Sequence, residues 1–241
     1  MKKYNITSLI LSLLVTTSLI GASVKTTTAD INANSLEISK NESKSLLSKE
    51  EELNLRKELS KDGISLDIQN KLIEKKKNGE LWDCEIPEKF NSIPDDFFQS
   101  LAKTNQIKYI FDDGSYLLMR KGVEDVSTKS YYEQNLPRVT VEASYGGSRA
   151  SIYANISYFY GVEGVINSVE PVGYIHVGNG SIVSDPQPYV AIRNGTNSNP
   201  AQAKYLPKIS RPNVIGGSKT ATLEYTMYVG GSKYWADLKQ Y

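Results

Sequence analysis

The hydrophobic rhythm of the chain changes along its length. Its first residues, MKKYNITSLILSLLVTTSLIGASVKTTTAD, set two lysines before an apolar and hydroxyl-rich run from Leu9 to Ile20 and close on small residues. That order predicts a secretory signal peptide over residues 1–29, cut after Ala29, with a cut after Ala22 as the competitor. The run is too short to span a bilayer and no later run is longer, so no transmembrane segment is expected in the mature chain. Residues 30–45 repeat Asn, Ser and Lys with little apolar material, the pattern of a flexible linker.

From residue 46 the period is helical. Ser48-Lys49-Glu50-Glu51 reads as a capping box, followed by Leu53, Leu55 and Leu59 and stopped by Asp62-Gly63. In a second helix Ser65 is the cap, Asp67 lies in the first turn, and Ile64, Ile68 and Leu72 recur four residues apart with Ile73 beside them. Lys75, Lys76 and Lys77 suit the negative end of its dipole, and Asn78-Gly79 supplies the stop. The basic run is therefore read as a solvated helix end. Trp82 and Leu81, just beyond it, are read as anchors against the segment 107–121, IKYIFDDGSYLLMRK. There two apolar runs flank Asp113-Gly114, which predicts a hairpin whose two-residue turn sets Phe111 opposite Tyr116 and Tyr109 opposite Leu118.

A charged link from Glu124 to Gln134 leads to Pro137, after which the pattern is of strands: RVTVEASY, ASIYANISYFY, VGYIHVG, PYVAIRN and TATLEYTMYVG. The expected fold is α+β, with a helical module and β-hairpin over residues 46–136 and a tyrosine-rich antiparallel β-sandwich over residues 137–241. A near-repeat relates GGSRASIYANISYFYG, from Gly146, to GGSKTATLEYTMYVGG, from Gly216, and a third Gly-Gly-Ser begins at Gly230. Each precedes a strand rather than a helix, so the motif is read as a hairpin turn and not as a phosphate loop.

Charge changes the picture only by exclusion. The 28 basic and 27 acidic side chains become 25 and 27 without the signal peptide, which gives no reason to expect nucleic acid as a partner. With 1 cysteine and 1 histidine in the whole sequence there is no internal disulfide and no zinc set. Asp112-Asp113-Gly114-Ser115 turns straight back into a strand where a calcium loop continues. No metal and no cofactor are expected.

Candidate chemistry is thin. Cys84, flanked by Asp83 and Glu85, has only His176 as a possible base, and acidic neighbours raise a thiol pKa; a buried unpaired thiol is therefore expected ahead of one paired between chains, with a Cys84–His176 pair as the lesser alternative. Glu142 and Glu224, inside strand patterns, are the carboxylate pair to test for sugar hydrolysis. Of the 16 tyrosines most lie beyond Arg138. Tyr153, Tyr158, Tyr160, Tyr225, Tyr228 and Tyr234, with Trp235, are the candidates for a contact surface toward a cell-surface glycan or protein. The same rings also fit core or cross-strand packing, or a membrane-inserting hairpin.

The stretch Asp67-Ile68-Gln69 through Leu72-Ile73-Glu74-Lys75 to Asn78-Gly79-Glu80-Leu81-Trp82-Asp83, followed by Asp113-Gly114-Ser115, resembles a module shared by a broad set of secreted proteins of Gram-positive bacteria. In that set the pattern is LI-x-K-x-x-x-G-E-x-W-D, a D-G-S hairpin and a variable strand-rich half. The resemblance implies export and architecture, with no assigned activity. This chain departs in Cys84, where Ser is expected, and in the long insert from Glu85 to Gln106. The leading expectation is a secreted, non-enzymatic binding protein; the alternatives are a secreted hydrolase with a carboxylate pair and a secreted toxin or bacteriocin-like effector.

Overall fold

Four helices, the last two short, one 3₁₀ turn and thirteen strands follow one another in a computed structural model that describes residues 47–123, 133–159, 163–178, 180–196, 198–212 and 218–241. The signal peptide and linker expected over residues 1–45, and Tyr160, lie outside these. Helix α1 (Lys49–Lys61) begins with the capping box read from the sequence: Ser48 Oγ accepts from the Glu51 amide at 3.2 Å and Glu51 Oε2 accepts from the Ser48 amide at 2.9 Å. It buries Leu55 and Leu59, whereas Leu53 stays exposed. Helix α2 (Leu66–Lys77) buries Leu72 and Ile73 and ends in a Schellman pair, Glu80 N to Lys75 O at 2.8 Å and Gly79 N to Lys76 O at 2.9 Å, with Gly79 at φ +74°.

The basic end of α2 is not a solvated one. Lys76 is buried, and its ammonium donates to Glu85 Oε2 while lying 5.1 Å from the Trp82 ring centroid. Lys75 donates to Asp113 at 2.7 Å, and Lys77 pairs with Glu52 at 2.9 Å. The helix end is buried because the chain doubles back under it. Trp82 is fully buried with its indole N–H on the Leu72 carbonyl at 2.7 Å, and a short 3₁₀ turn, Asp83–Glu85, follows. Glu85 Oε2 also accepts from the Trp82 amide at 2.8 Å, and Glu85 Oε1 lies 2.9 Å from Arg211 Nε, an ion-pair contact without hydrogen-bond alignment. The segment expected only as an insert thus supplies the acid that ties α2 to a distant strand. It also carries α3 (Pro87–Phe90) and α4 (Asp95–Ser100).

Strands β1 (Gln106–Ile110) and β2 (Tyr116–Val123) form the hairpin, in a register one residue away from expectation. Ile110 faces Tyr116 and Tyr109 faces Leu117. The turn holds three residues, because Phe111 N bonds Ser115 O at 2.8 Å and only Gly114 takes positive φ, at +86°. Asp113 stays in ordinary backbone space and uses its carboxylate instead, accepting from Lys75, from the Asp83 amide at 2.9 Å and from the Ser115 amide at 2.9 Å. A side chain at 114 would also meet Ile68 Cγ2 of α2 at 2.9 Å, so glycine is required there twice over.

The first sheet runs β1-β2-β3-β4-β5-β9, with β6 also paired to β4; β3 is Glu133–Tyr145, β4 Ser148–Phe159, β5 Glu163–Val169, β6 Tyr174–His176 and β9 Asn194–Gly195. The division expected at residue 136/137 falls inside β3, where Pro137 and Arg138 form a bulge against Asn155. The hairpin is therefore the edge of the main sheet. The second sheet is built on β12 (Ser218–Gly230), which pairs with β13 (Lys233–Gln240) on one flank and with β11 (Lys208–Pro212) and β10 (Ala201–Tyr205) on the other; β7 (Ser181–Ser184) and β8 (Tyr189–Ile192) extend β11 and β10. The result is an α+β fold with two antiparallel, curled sheets in a sandwich-like arrangement. Alternating residues of each sheet, among them Val141, Ala143, Ala150 and Ile152 of the first and Leu223, Tyr225, Met227, Ala236 and Leu238 of the second, are buried in one core.

A second buried carboxylate lies where α1 ends. Asp62 accepts from Tyr116 Oη at 2.6 Å, from Ser144 Oγ, and from Arg149 at 2.9 Å and Arg120 at 3.2 Å. Burial works to raise its pKa, yet the two hydroxyl bonds and the two guanidinium charges outweigh it and hold the carboxyl below its ordinary value. Glu58 and Asp113 are lowered in the same way, against burial, by the cations Lys61 and Arg149 and by Lys75 with Ser115 respectively.

Two outcomes follow. Glu85→Gln leaves Lys76 and Arg211 buried without their counter-charge, and a loss of about 3–5 kcal/mol is expected in urea denaturation at unchanged m-value; an unmoved midpoint would show that the cluster does not hold α2 to β11. For Asp62, Glu58 and Asp113 the folded pKa is the lower one, so their stabilisation is complete above the unfolded value and vanishes as pH falls through the folded value. Melting temperature is expected to be level near neutrality and to drop below about pH 4, with a shallower acid slope in Asp62→Asn.

Candidate functional site

The turn Gly231-Ser232, with φ of +56° and +61°, joins β12 to β13 in two residues and thereby sets Tyr228 opposite Trp235 and Thr226 opposite Asp237. Alternation then decides the faces. Tyr234, Ala236 and Leu238 are buried inward, while Trp235 and Asp237 point outward and remain half-buried. Their partial cover is α4. Asn91 is tied to the last strand in both directions, donating to the Gln240 carbonyl at 2.8 Å and accepting from the Gln240 amide at 3.1 Å, and Gln240 Nε2 donates to the Cys84 carbonyl at 2.8 Å. These bonds hold the helical segment beside β13.

Between α4 and the outer face of β12 and β13 lies an open groove of about 870 Å³. Its aromatic wall is the Tyr228–Trp235 pair, stacked at 5.4 Å between centroids with the rings 15° from parallel. Tyr228 Oη donates to Asp237 Oδ2 at 2.9 Å. Burial pushes the Asp237 carboxyl above its ordinary value; the Tyr228 bond and Lys239 act the other way, and the charges of Glu224 and, less, Asp95 add to the rise. Asp96, Gln99 and Ser100 of α4, with Lys103 and Ser198, supply further donors and acceptors. Rigid rings beside convergent polar groups in a concavity of this size suit a small polar ligand or a segment of a polymer.

The residues singled out from the sequence scatter. Tyr228 and Trp235 meet in the groove. Tyr158, Tyr225 and Tyr234 are buried, at 5%, 0% and 6% exposure, and so belong to the core rather than to a contact surface; Tyr234 Oη donates to the Gly122 carbonyl at 3.0 Å. Their strands place them on the inward face, and alternation alone does not say which face is inward. Tyr153 stands half-buried on β4 under the Arg138 guanidinium, 4.6 Å from its ring centroid. Glu142 and Glu224 are on different sheets, Glu142 with Arg149 at 3.1 Å and Arg120 at 3.3 Å, Glu224 with Lys204. The Lys204 bond holds Glu224 below the usual carboxyl value, the wrong direction for an acid catalyst. Asp237, Asp95, Asp96 and Gln99 escaped the sequence reading. Pro94 followed by two acids does mark a helix start, but nothing local says where that helix docks.

Cys84 and His176 are not brought together. The thiol is fully buried beside Glu85 and Arg211, its amide on Ser115 Oγ at 3.1 Å, and burial with the Glu85 charge raises its pKa to about 12. His176 instead lines a separate polar cavity with Glu142 and Arg149. Among the described residues no group of three or more metal-ligating side chains converges, and no helix is long and apolar enough to cross a membrane. Native protein at neutral pH is expected to resist iodoacetamide and to take up one equivalent only after denaturation; rapid native labelling would place the thiol at the surface.

No protein-family model, no curated protein and no solved structure matches this chain, so the functional reading rests on the geometry of the groove.

Proposed function

We propose that the chain is an exported binding protein that takes an uncharged glycan into the groove between α4 and β12–β13. The observation that carries the reading is the stacked Tyr228–Trp235 pair with Asp237 bonded beside it. A sugar ring has an apolar C–H face that packs on an indole, and a rim of hydroxyls that donate to carboxylates and accept from amides and ammonium groups. The groove offers these in that arrangement: Trp235 as the platform, Asp237, Asp95 and Asp96 as acceptors, Gln99 and Lys103 as donors. Acids and lysines are nearly balanced there, which favours a neutral ligand over a polyanion. Export is supported by the cationic, apolar and small-residue order of residues 1–29.

One observation favours hydrolysis as a second reading: the carboxyl of Asp237 is raised by burial and shares the groove with Asp95. That pair replaces Glu142 and Glu224 as the carboxylates to examine. An acid that already accepts a bond from Tyr228 is oriented by it, and the same arrangement serves a hydroxyl of a bound sugar.

Purified cell wall, soluble glycans and lipid vesicles, offered side by side to the purified chain, separate these classes. Binding to polysaccharide and not to vesicles is expected, with affinity lowered at least ~30-fold in Trp235→Ala, the loss of an aromatic anchor worth about 2 kcal/mol. Equal binding by Trp235→Ala at unchanged melting temperature would remove the groove from consideration. Release of reducing ends by the wild type, abolished in Asp237→Asn, would turn the reading to hydrolysis.

A further inference from the structure

The outer face of the first sheet holds a second cavity, of about 340 Å³, that the groove does not touch. It is built by cross-strand register. On β4 the residues Arg149, Ser151 and Tyr153 alternate with the buried Ala150, Ile152 and Ala154 and so share one face. Glu142 of β3 stands opposite Ser151, and His176 of β6 stands opposite Arg149, which brings residues from three adjacent strands to one wall. Glu58 and Lys61, from the end of α1, close the cavity from above.

The groups there are unequally satisfied. Arg149 is saturated by acids, with Glu58 at 2.8 Å, Asp62 at 2.9 Å and Glu142 at 3.1 Å. Ser151, only 1% exposed and lining the cavity, has a hydroxyl with no hydrogen-bond partner. The Thr140 hydroxyl, on the strand position opposite Tyr153, is buried and unpartnered as well. A buried hydroxyl is seldom left without a partner. One water would satisfy Ser151 but would neither fill this volume nor use the aromatic side of Tyr153.

From this we infer that the cavity is a second ligand site, sized for a single uncharged, hydroxyl-rich molecule such as a monosaccharide. Charge selects that class. An anion would face Glu58 and Glu142, and a cation would face Arg149 and Lys61, whereas a neutral polyol meets acceptors and donors already fixed by their own ion pairs. Its hydroxyls bond Ser151, His176 and the outward lone pairs of Glu142, and its C–H face lies against Tyr153. The site stands on its own observations and does not depend on what occupies the groove.

His176, the 1 histidine of the sequence, is a reporter for this cavity alone. Proton NMR of its imidazole in the full chain, titrated with glucose, N-acetylglucosamine, glucosamine and glucuronate, tests the inference, with Trp235 fluorescence read in parallel for the groove. A saturable His176 shift is expected with the two uncharged sugars, in the millimolar range, and binding of the two charged ones about tenfold weaker or less. Ser151→Ala removes one hydrogen bond without adding bulk, and should weaken uncharged sugars about fivefold with the fold intact. Absence of a saturable shift with either uncharged sugar, tighter binding of a charged one, or an unchanged affinity in both Ser151→Ala and Tyr153→Leu would overturn it, whatever the fluorescence reports.

Discussion

The architecture turns on the buried carboxylate of Glu85. It caps the Trp82 amide, neutralises Lys76 at the end of α2, and meets Arg211 of β11 in the second sheet. A side chain added at Gly146, in the β3–β4 turn, would lie 3.1 Å from Glu85, so the first sheet closes over the same point. Helix end, first sheet and second sheet meet around one acid. Buried ion pairs of this kind roughly balance their own desolvation, so the cluster acts less by adding net stability than by admitting one way of docking the parts. Any other arrangement leaves a charge buried and unpaired.

That docking determines which outward surfaces become concave. The inner faces of both sheets are used up in the shared core, and Tyr158, Tyr225 and Tyr234 go with them. What remains outward is partly roofed by helices, α4 over β12–β13 and the end of α1 over β3, β4 and β6. Each roof converts a flat, solvated face into a concavity with fixed polar groups. A flat exposed face holds a small ligand weakly because it buries little of it; a walled one excludes water and orients hydrogen bonds. The segment 85–106, which has no visible role in the sequence, supplies one roof and anchors it through Asn91 and Gln240.

Legibility in the sequence followed the range of the interactions. Caps and stops are local, and Ser48, Glu51 and Gly79 act as their types suggest. Strand alternation is local too, and the strands appear where β-branched and aromatic residues cluster. Register is less local. Asp113-Gly114 marks the hairpin, but a three-residue turn replaces the two-residue one, because the Asp113 carboxylate is drawn to Lys75 and the Asp83 amide from outside the hairpin; a slip of one residue exchanges the faces. Lys76 fails for the same reason, since its run has the signature of a solvated helix end and Glu85 appears above it only after the chain reverses. The groove lining was half legible: Tyr228 and Trp235 from their pattern, Asp237 and the docking of α4 not at all.

The class of fold, the capping box of α1, the glycine stop of α2 and the absence of an internal disulfide were readable in the chain alone, since these depend on neighbours within a few positions or on composition; Ser65, expected to cap α2, sits at the cap position without a side-chain bond. Long-range packing settled which tyrosines are core, which acids are paired, that Asp95 and Asp237 line one groove, and that Ser151 lines one cavity with Glu142 and His176. Those relations join residues far apart in the chain. They are set by which sheet face is covered, and by the high cost of leaving a buried charge without its partner.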